Sequence, residues 1–256
     1  MSQDPKKRRS TFAPQSRRFT VVELKHKRIE MSKYRSIEDI TGEHLDVNIA
    51  ALLPPPPGYS INDWIIINLV DFLKRIELLY SSCSLFCTSD TCPHFGAGPR
   101  YNYLWLDDDS SKSLQISAPD YFDALKRYIK RNLSNKALFP DKLKGEFSPK
   151  ALNVIQNSYR RLFRMLAHLY ICHFKDISQL EELEVFKIMN TVLTHYTHIA
   201  LLYRVCDLDE FKVFEPIFNN INANAKPNFH CPKLNSKSIK KKDSDSNANT
   251  SSNSQP

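Results

Sequence analysis

Two short pairs of ligand-type residues, far apart in the chain, constrain the fold most. Cys87-Thr-Ser-Asp-Thr-Cys92 is a C-x4-C, and 76 residues after Cys92 comes His168-Leu-Tyr-Ile-Cys-His173, an H-x4-H. Two thiolates and two imidazoles form a closed tetrahedral set for one structural zinc ion. A fold that unites them must staple an early loop onto a late segment. On a regular helix, residues five apart point about 140° away from each other. His168 and His173 can therefore converge only near a helix end or a distorted turn. Cys172 shares the face of His168 and competes as a ligand, and His94 beside the thiol loop is another candidate. The plainer alternative is small buried thiols and hydrogen-bonded core histidines. A catalytic metal is disfavoured: the four donors leave no open position, and no Glu neighbours the histidines as in H-E-x-x-H. Asp90 is the one acid within the thiol loop.

Around these pairs the apolar pattern is mostly helical. Ile65, Leu69, Phe72, Ile76 and Leu79 recur at spacings of three and four and predict a helix over 62–81, with Ser60 or Asn62 as N-cap. Four prolines, Pro54 to Pro57, force an extended approach to it. Residues 83–99 read as irregular. Tyr101, Tyr103 and Trp105, then Leu114 and Ile116, alternate around Asp107–Lys112 and predict a short hairpin. Ala118-Pro119 opens a helix to about Leu133, with Pro119 in its first turn. A loop over 139–149 precedes a long helix over 150–174, with Leu152, Ile155, Tyr159, Leu162, Phe163, Leu166 and Leu169 facing inward. Further helices are expected over 177–203 and 209–218. The fold class is mainly α, a bundle with one hairpin.

Charge is unevenly distributed. The net +8 conceals eleven Lys/Arg against three acids in residues 1–35, and six lysines against two aspartates in 226–256. Residues 36–225 hold 19 basic and 23 acidic side chains and are mildly acidic. A phosphate-binding domain would carry its positive field on the core, so nucleic acid is disfavoured as partner. An acidic core suits a basic protein partner instead. Beyond Asn219 the chain turns Asn/Ser/Lys-rich, and little after Leu234 is apolar. We expect three parts: a basic, largely disordered arm over 1–35, a domain over 36–222 and a disordered tail over 223–256. With five glycines, neither G-x-G-x-x-G nor G-x-x-x-x-G-K can be written, which disfavours Rossmann and Walker-type enzymes. No apolar run reaches the roughly 18–20 residues of a membrane helix, and the basic start lacks the apolar region of a secretory signal. Six cysteines without such a signal suggest reduced thiols inside the cell.

Several stretches, taken together and in order, resemble the Mob family of kinase activators. They are Leu53-Pro54; Ile61-Asn-Asp-Trp64 with Asn68-Leu-Val-Asp-Phe72; Leu79-Tyr80; Phe86-Cys87-Thr88 with Cys92-Pro93; Ala97-Gly-Pro-Arg-Tyr101 with Tyr103 and Trp105; and Ser117-Ala-Pro119. Further along come Leu138-Phe-Pro140; Arg161-Leu-Phe-Arg164 with Ala167-His168; His173-Phe174; and Asn190-Thr191 with His195. The resemblance spans about Val47 to Asn220. It implies a Mob-type helical bundle with one structural zinc on Cys87, Cys92, His168 and His173, hence His173 rather than Cys172.

The resemblance also implies a function without catalysis. Mob proteins bind and stimulate NDR/LATS-type serine/threonine kinases through the basic N-terminal regulatory region of the kinase. The matching positions are Asp63, Trp64, Ile67, Asp71 and His195. The family's acidic turn before the Asn-acid-Trp motif is replaced here by Pro56-Pro57-Gly58-Tyr59-Ser60, so a kinase-pairing carboxylate is missing. Arg160, Arg161 and Arg164 match a cluster that docks phosphopeptides of an upstream Ste20-type kinase or a phosphorylated scaffold. Thr11, in Lys7-Arg-Arg-Ser-Thr-Phe12, matches a phosphorylated threonine. The implied setting is mitotic exit, cytokinesis and Hippo-like signalling, in the cytoplasm, nucleus or at a spindle pole or division site. A subtype serving polarity kinases or phosphatase scaffolds is the alternative. A zinc-dependent hydrolase and a nucleic-acid-binding zinc protein are more distant ones.

Overall fold

A computed structural model of the chain describes residues 42–106, 112–141, 145–179 and 183–224. Its first long helix, α1 (Ile61–Ser82), starts where local chemistry dictates. Ser60 accepts from the Asp63 amide, and the Asp63 carboxylate returns to the Ser60 amide, a capping box. The five apolar residues expected to face inward are all buried. Before it, a 3-10 turn, Ile49–Leu52, is capped by Asn48, and the proline run leads to Gly58 at φ 91°.

The expected hairpin is present but short: β1 (Trp105–Leu106) pairs antiparallel with β2 (Ser113–Leu114), Trp105 opposite Leu114. Helices α2 (Ala118–Leu133) and α3 (Pro149–Cys172) begin alike, each with a Ser N-cap followed by proline in the first turn. Helix α3 runs through the centre, buried at nearly every position from Val154 to Tyr170. It packs against α1 on one side and α2 on another. Leu152, expected inside, is 37% exposed, while its neighbour Ala151 in the same turn is fully buried, so the inward face at the start of α3 lies one position earlier.

Two boundaries differ from expectation. The long helix stops at Cys172 rather than Phe174, and the stretch over 177–203 comprises α4 (Phe174–Gln179) and α5 (Leu183–Leu202). The stretch over 209–218 is a 3-10 helix, Leu208–Phe214, followed by α6 (Glu215–Asn224). Helix α6 continues past Asn219, where the composition turns Asn/Ser/Lys-rich, to Asn224. Ile217 and Phe218 are buried beneath it, and Phe218 packs on Phe211 at 5.2 Å.

Helix α5 is buried from Met189 to Ala200 despite three threonines and two histidines. Thr191, Thr194 and Thr197 each donate to the carbonyl four residues earlier, at 2.7–2.8 Å, so the helix satisfies its own polar groups. Across the core, Tyr159 donates to the Ile65 carbonyl at 2.9 Å and Tyr170 donates to Asn190 Oδ1 at 2.7 Å. Such satisfied buried hydroxyls contribute about 1 kcal/mol each, and orphaning one costs more.

Candidate metal centre and binding surfaces

The loop after α1 folds back so that Cys87, Cys92, His168 and His173 bring their ligand atoms within 4.8 Å of one another. Cys87 Sγ and His168 Nε2 are 3.4 Å apart, as are Cys92 Sγ and His173 Nε2, and the two Nε2 atoms are 3.2 Å apart. The 140° objection disappears because α3 ends there. His173 is its C-cap, with φ −119° and ψ 11°, and no longer follows the helical screw.

Partners behind the rings decide which nitrogen carries the proton. His168 Nδ1–H donates to the Gly96 carbonyl at 2.7 Å, and His173 Nδ1–H donates to Asp176 at 2.8 Å. A carbonyl can only accept, so the His168 Nε2 lone pair faces the cluster. This is the arrangement that metal-bound imidazoles adopt. Without a cation, the converging lone pairs would oppose one another. Burial pushes the Cys87 thiol up and lowers His168 to about 4, so burial favours the neutral forms of both groups. The donor set therefore fits a metal ion, which would hold both sulfurs as thiolates.

The competing ligands fall outside the cluster. Cys172 Sγ accepts from the Gly98 amide at 3.4 Å and contacts the Gly96 carbonyl at 3.7 Å. His94 is exposed on the rim of a cavity beside the site. The sequence reading missed Gly96 as a supporting residue. A Cβ there would lie 2.4 Å from the Tyr101 carbonyl, so only glycine lets the loop approach closely enough to present its own carbonyl to His168. Asp176 was also missed; three residues after His173, its spacing could have pointed to it.

Of the kinase-contact residues implied by the resemblance, Asp63, Trp64, Ile67 and Asp71 line one side of α1, the two aspartates about 12 Å apart along the axis. The three polar ones are already engaged within the chain. Asp63 closes the capping box, and Trp64 donates its indole N–H to the Leu53 carbonyl at 2.9 Å. Asp71 is paired with Arg75 at 2.7 Å. Ile67 is 39% exposed. His195 reaches the same region from α5, 4% exposed, its ring 5.0 Å from Phe72. It lines a groove of about 180 Å³ with Val47, Leu52, Arg75, Leu78 and Ile188. Neither ring nitrogen completes a hydrogen bond of good geometry. Burial, then Arg75, lowers its pKa to about 4. Arg75 and Leu78 went unrecognised in the sequence because neither interrupts the helical pattern.

The three arginines do not form one exposed cluster. Arg161 is buried, its guanidinium 4.1 Å from the Trp105 ring and 4.4 Å from the Tyr128 ring, donating to the Leu106 carbonyl at 3.3 Å. Arg164 lies over Tyr103 at 4.9 Å, and Arg160 faces Glu210 at 3.8 Å. Charge reversal at Arg161 would place a carboxylate against two aromatic faces. Thr11 lies outside the described residues. Among those described, no helix is long and apolar enough to cross a membrane.

Comparison with known proteins places the chain in a family. The family described as Mob1/phocein matches residues 43–214. "MOB kinase activator-like 1A" of Arabidopsis thaliana is 33% identical over 185 residues, 70% of this chain and 85% of that protein. "MOB kinase activator-like 1 homolog A" of Dictyostelium discoideum is 32% identical over 178 residues, 69% and 82%. "Maintenance of ploidy protein mob1" of Schizosaccharomyces pombe is 35% identical over 167 residues, 65% and 78%. A helical bundle whose early loop meets the end of its central helix at two cysteines and two histidines, matched over most of its described length, belongs to the Mob1/phocein family.

Proposed function

We propose that this protein is a non-catalytic coactivator that binds the basic N-terminal regulatory region of an NDR/LATS-type serine/threonine kinase. The observation that carries this reading is the groove between the 3-10 turn, α1 and α5. Apolar Val47, Leu52 and Leu78, 36–65% exposed, surround a buried imidazole, with the Asp71–Arg75 pair beside them. Exposed apolar side chains around a concave centre supply interface area, and a nearby carboxylate can exchange its intramolecular Arg75 for a partner's cation. The relatives named as kinase activators support the same role. Zinc is the ion we assign to the four ligands, in a structural role: four protein donors leave no position for a reacting water.

Arg160 and Arg164 would dock phosphopeptides of an upstream Ste20-type kinase or scaffold, with Arg161 holding the neighbouring rings in place. Thr11 would be a phosphorylation site on the basic arm. The protein would act in the cytoplasm, nucleus or at a division site, in mitotic exit or Hippo-like signalling. Titration of fluorescent N-terminal segments of the source organism's NDR/LATS-type kinases tests the main reading by anisotropy. Ile67→Asp and Leu78→Asp, both at exposed positions, should weaken the best segment about tenfold or more. Equal binding by the variants, or no segment bound, refutes it.

A further inference from the structure

Helix α2 bears a second concave surface, remote in sequence from the residues of the kinase reading. A groove of about 560 Å³ is lined by Trp105, Ala124, Arg127, Tyr128, Lys130, Arg131 and Ser134. Arg127, Lys130 and Arg131 are exposed, while Trp105 and Tyr128 are buried except for the edges they turn to the groove. Lys126, one residue before, is paired with Asp123 at 2.9 Å and Glu77 at 3.3 Å. Among the described residues, Arg127 and Lys130 have no such carboxylate. Two cations without a carboxylate partner among the described residues therefore share one groove with two aromatic side chains. The Arg161 guanidinium, which is not among the residues lining the groove, lies 4.1 Å from the Trp105 ring and 4.4 Å from the Tyr128 ring and helps to hold both.

We propose that this groove docks a short, extended acidic peptide segment of a protein partner. Spacing, size and charge all point that way. Arg127 and Lys130 are separated along the helix axis by a rise of about 4.5 Å. In an extended chain, side chains on one face recur about every 6.6 Å, a separation that the long side chains of Arg127 and Lys130 can span. The volume is in the range of a small-ligand pocket and suits a few residues. The aromatic edges and Ala124 offer apolar contact to a side chain between the acids.

Extended polyanions fit less well. The domain around the groove has 19 basic and 23 acidic residues over 36–225, a field that repels a long phosphate backbone or an anionic membrane while leaving a local basic notch accessible. The chain's own termini are excluded by sign: residues 1–35 carry eleven cations to three acids, and 226–256 carry six to two.

The test is an anisotropy titration of the full-length protein with a fluorescein-labelled, unphosphorylated nonapeptide bearing Glu at alternate positions and one Leu. A Gln-for-Glu peptide is the control. Saturable binding is expected, weakening with salt and falling about tenfold or more in Arg127→Glu/Lys130→Glu. It should be unchanged in Arg160→Glu/Arg164→Glu and in Ile67→Asp, so failure here is distinct from failure of the kinase or phosphopeptide readings. The α2 substitutions are at exposed positions and should keep the thermal transition. If charge reversal lowers it, Arg127→Gln/Lys130→Gln takes its place, with a smaller loss expected. Absent saturation, equal binding of the Gln peptide, or indifference to the α2 substitutions overturns the proposal. So does tighter, α2-dependent binding of single-stranded RNA or phosphatidylserine vesicles.

Discussion

Removing the metal tests the architecture most directly. The ion would join Cys87 and Cys92 to His168 and His173, partners 81 residues apart in each pair. Treated as a covalent cross-link, closure of such a loop restricts the unfolded chain by about 4.5 kcal/mol. The loop has other anchors. Phe95 is buried against Tyr121 with ring centroids 3.8 Å apart, and its amide donates to the Ile116 carbonyl at 2.9 Å. The bundle should therefore survive metal loss with lowered stability rather than unfold outright. For a domain this size, each kcal/mol moves the midpoint by about 2–4 °C, giving a fall of roughly 10–15 °C. Elemental analysis should find one zinc per chain, and calorimetry with and without a strong chelator should show the shift. Cys92→Ser should reproduce it without chelator. Cys172→Ser should retain zinc, since that sulfur serves the Gly98 amide instead. A metal-free protein melting within about 2 °C of the untreated one would refute the cross-link argument.

Arg161→Ala should lower stability by about 2–4 kcal/mol, because it removes two ring stacks, a backbone hydrogen bond and buried volume. Arg160→Ala, whose 3.8 Å ion pair is partly exposed, should cost less than about 1 kcal/mol; urea titration of both separates a packing arginine from a surface one. His195 predicts an acid-labile core. Its folded pKa of about 4 lies below the ordinary 6.5, so the unfolded chain takes the proton first, and stability is lost as pH falls from about 6.5 toward 4. The loss reaches about 3 kcal/mol if the shift is fully expressed. In metal-free protein, His195→Leu should flatten that part of the pH profile; parallel profiles would contradict the assignment.

Much of this was legible because it is local. The Ser60 cap, the proline in the first turn of α2 and the inward stripe of α1 are set by residues within four positions of one another. Candidate ligands were legible by residue type, but Cys172 and His94 competed with them, and His173 was preferred to Cys172 only through the family resemblance. What local pattern could not show was the end of α3 at Cys172, which turns His173 back toward His168 and leaves Cys172 outside. Nor could it tell Arg161 from Arg160. Both are arginines on one helix, and only the hairpin and α2 arriving from elsewhere bury one and leave the other half-exposed. Helix α5 hid its burial behind threonines that bond to their own backbone.

The amino-acid sequence alone determined the helical class and the family and narrowed the metal-ligand candidates, because periodicity, caps and ordered motifs act over short range or through residue type. Tertiary structure decided which lone pairs converge, which charges are already spent on intramolecular partners, and where concave surface remains for another protein. Those outcomes depend on distances between segments up to 150 residues apart, as in the Tyr203 hydroxyl that reaches the Leu53 carbonyl behind Trp64. No local rule encodes such a distance; it follows only when the whole core closes.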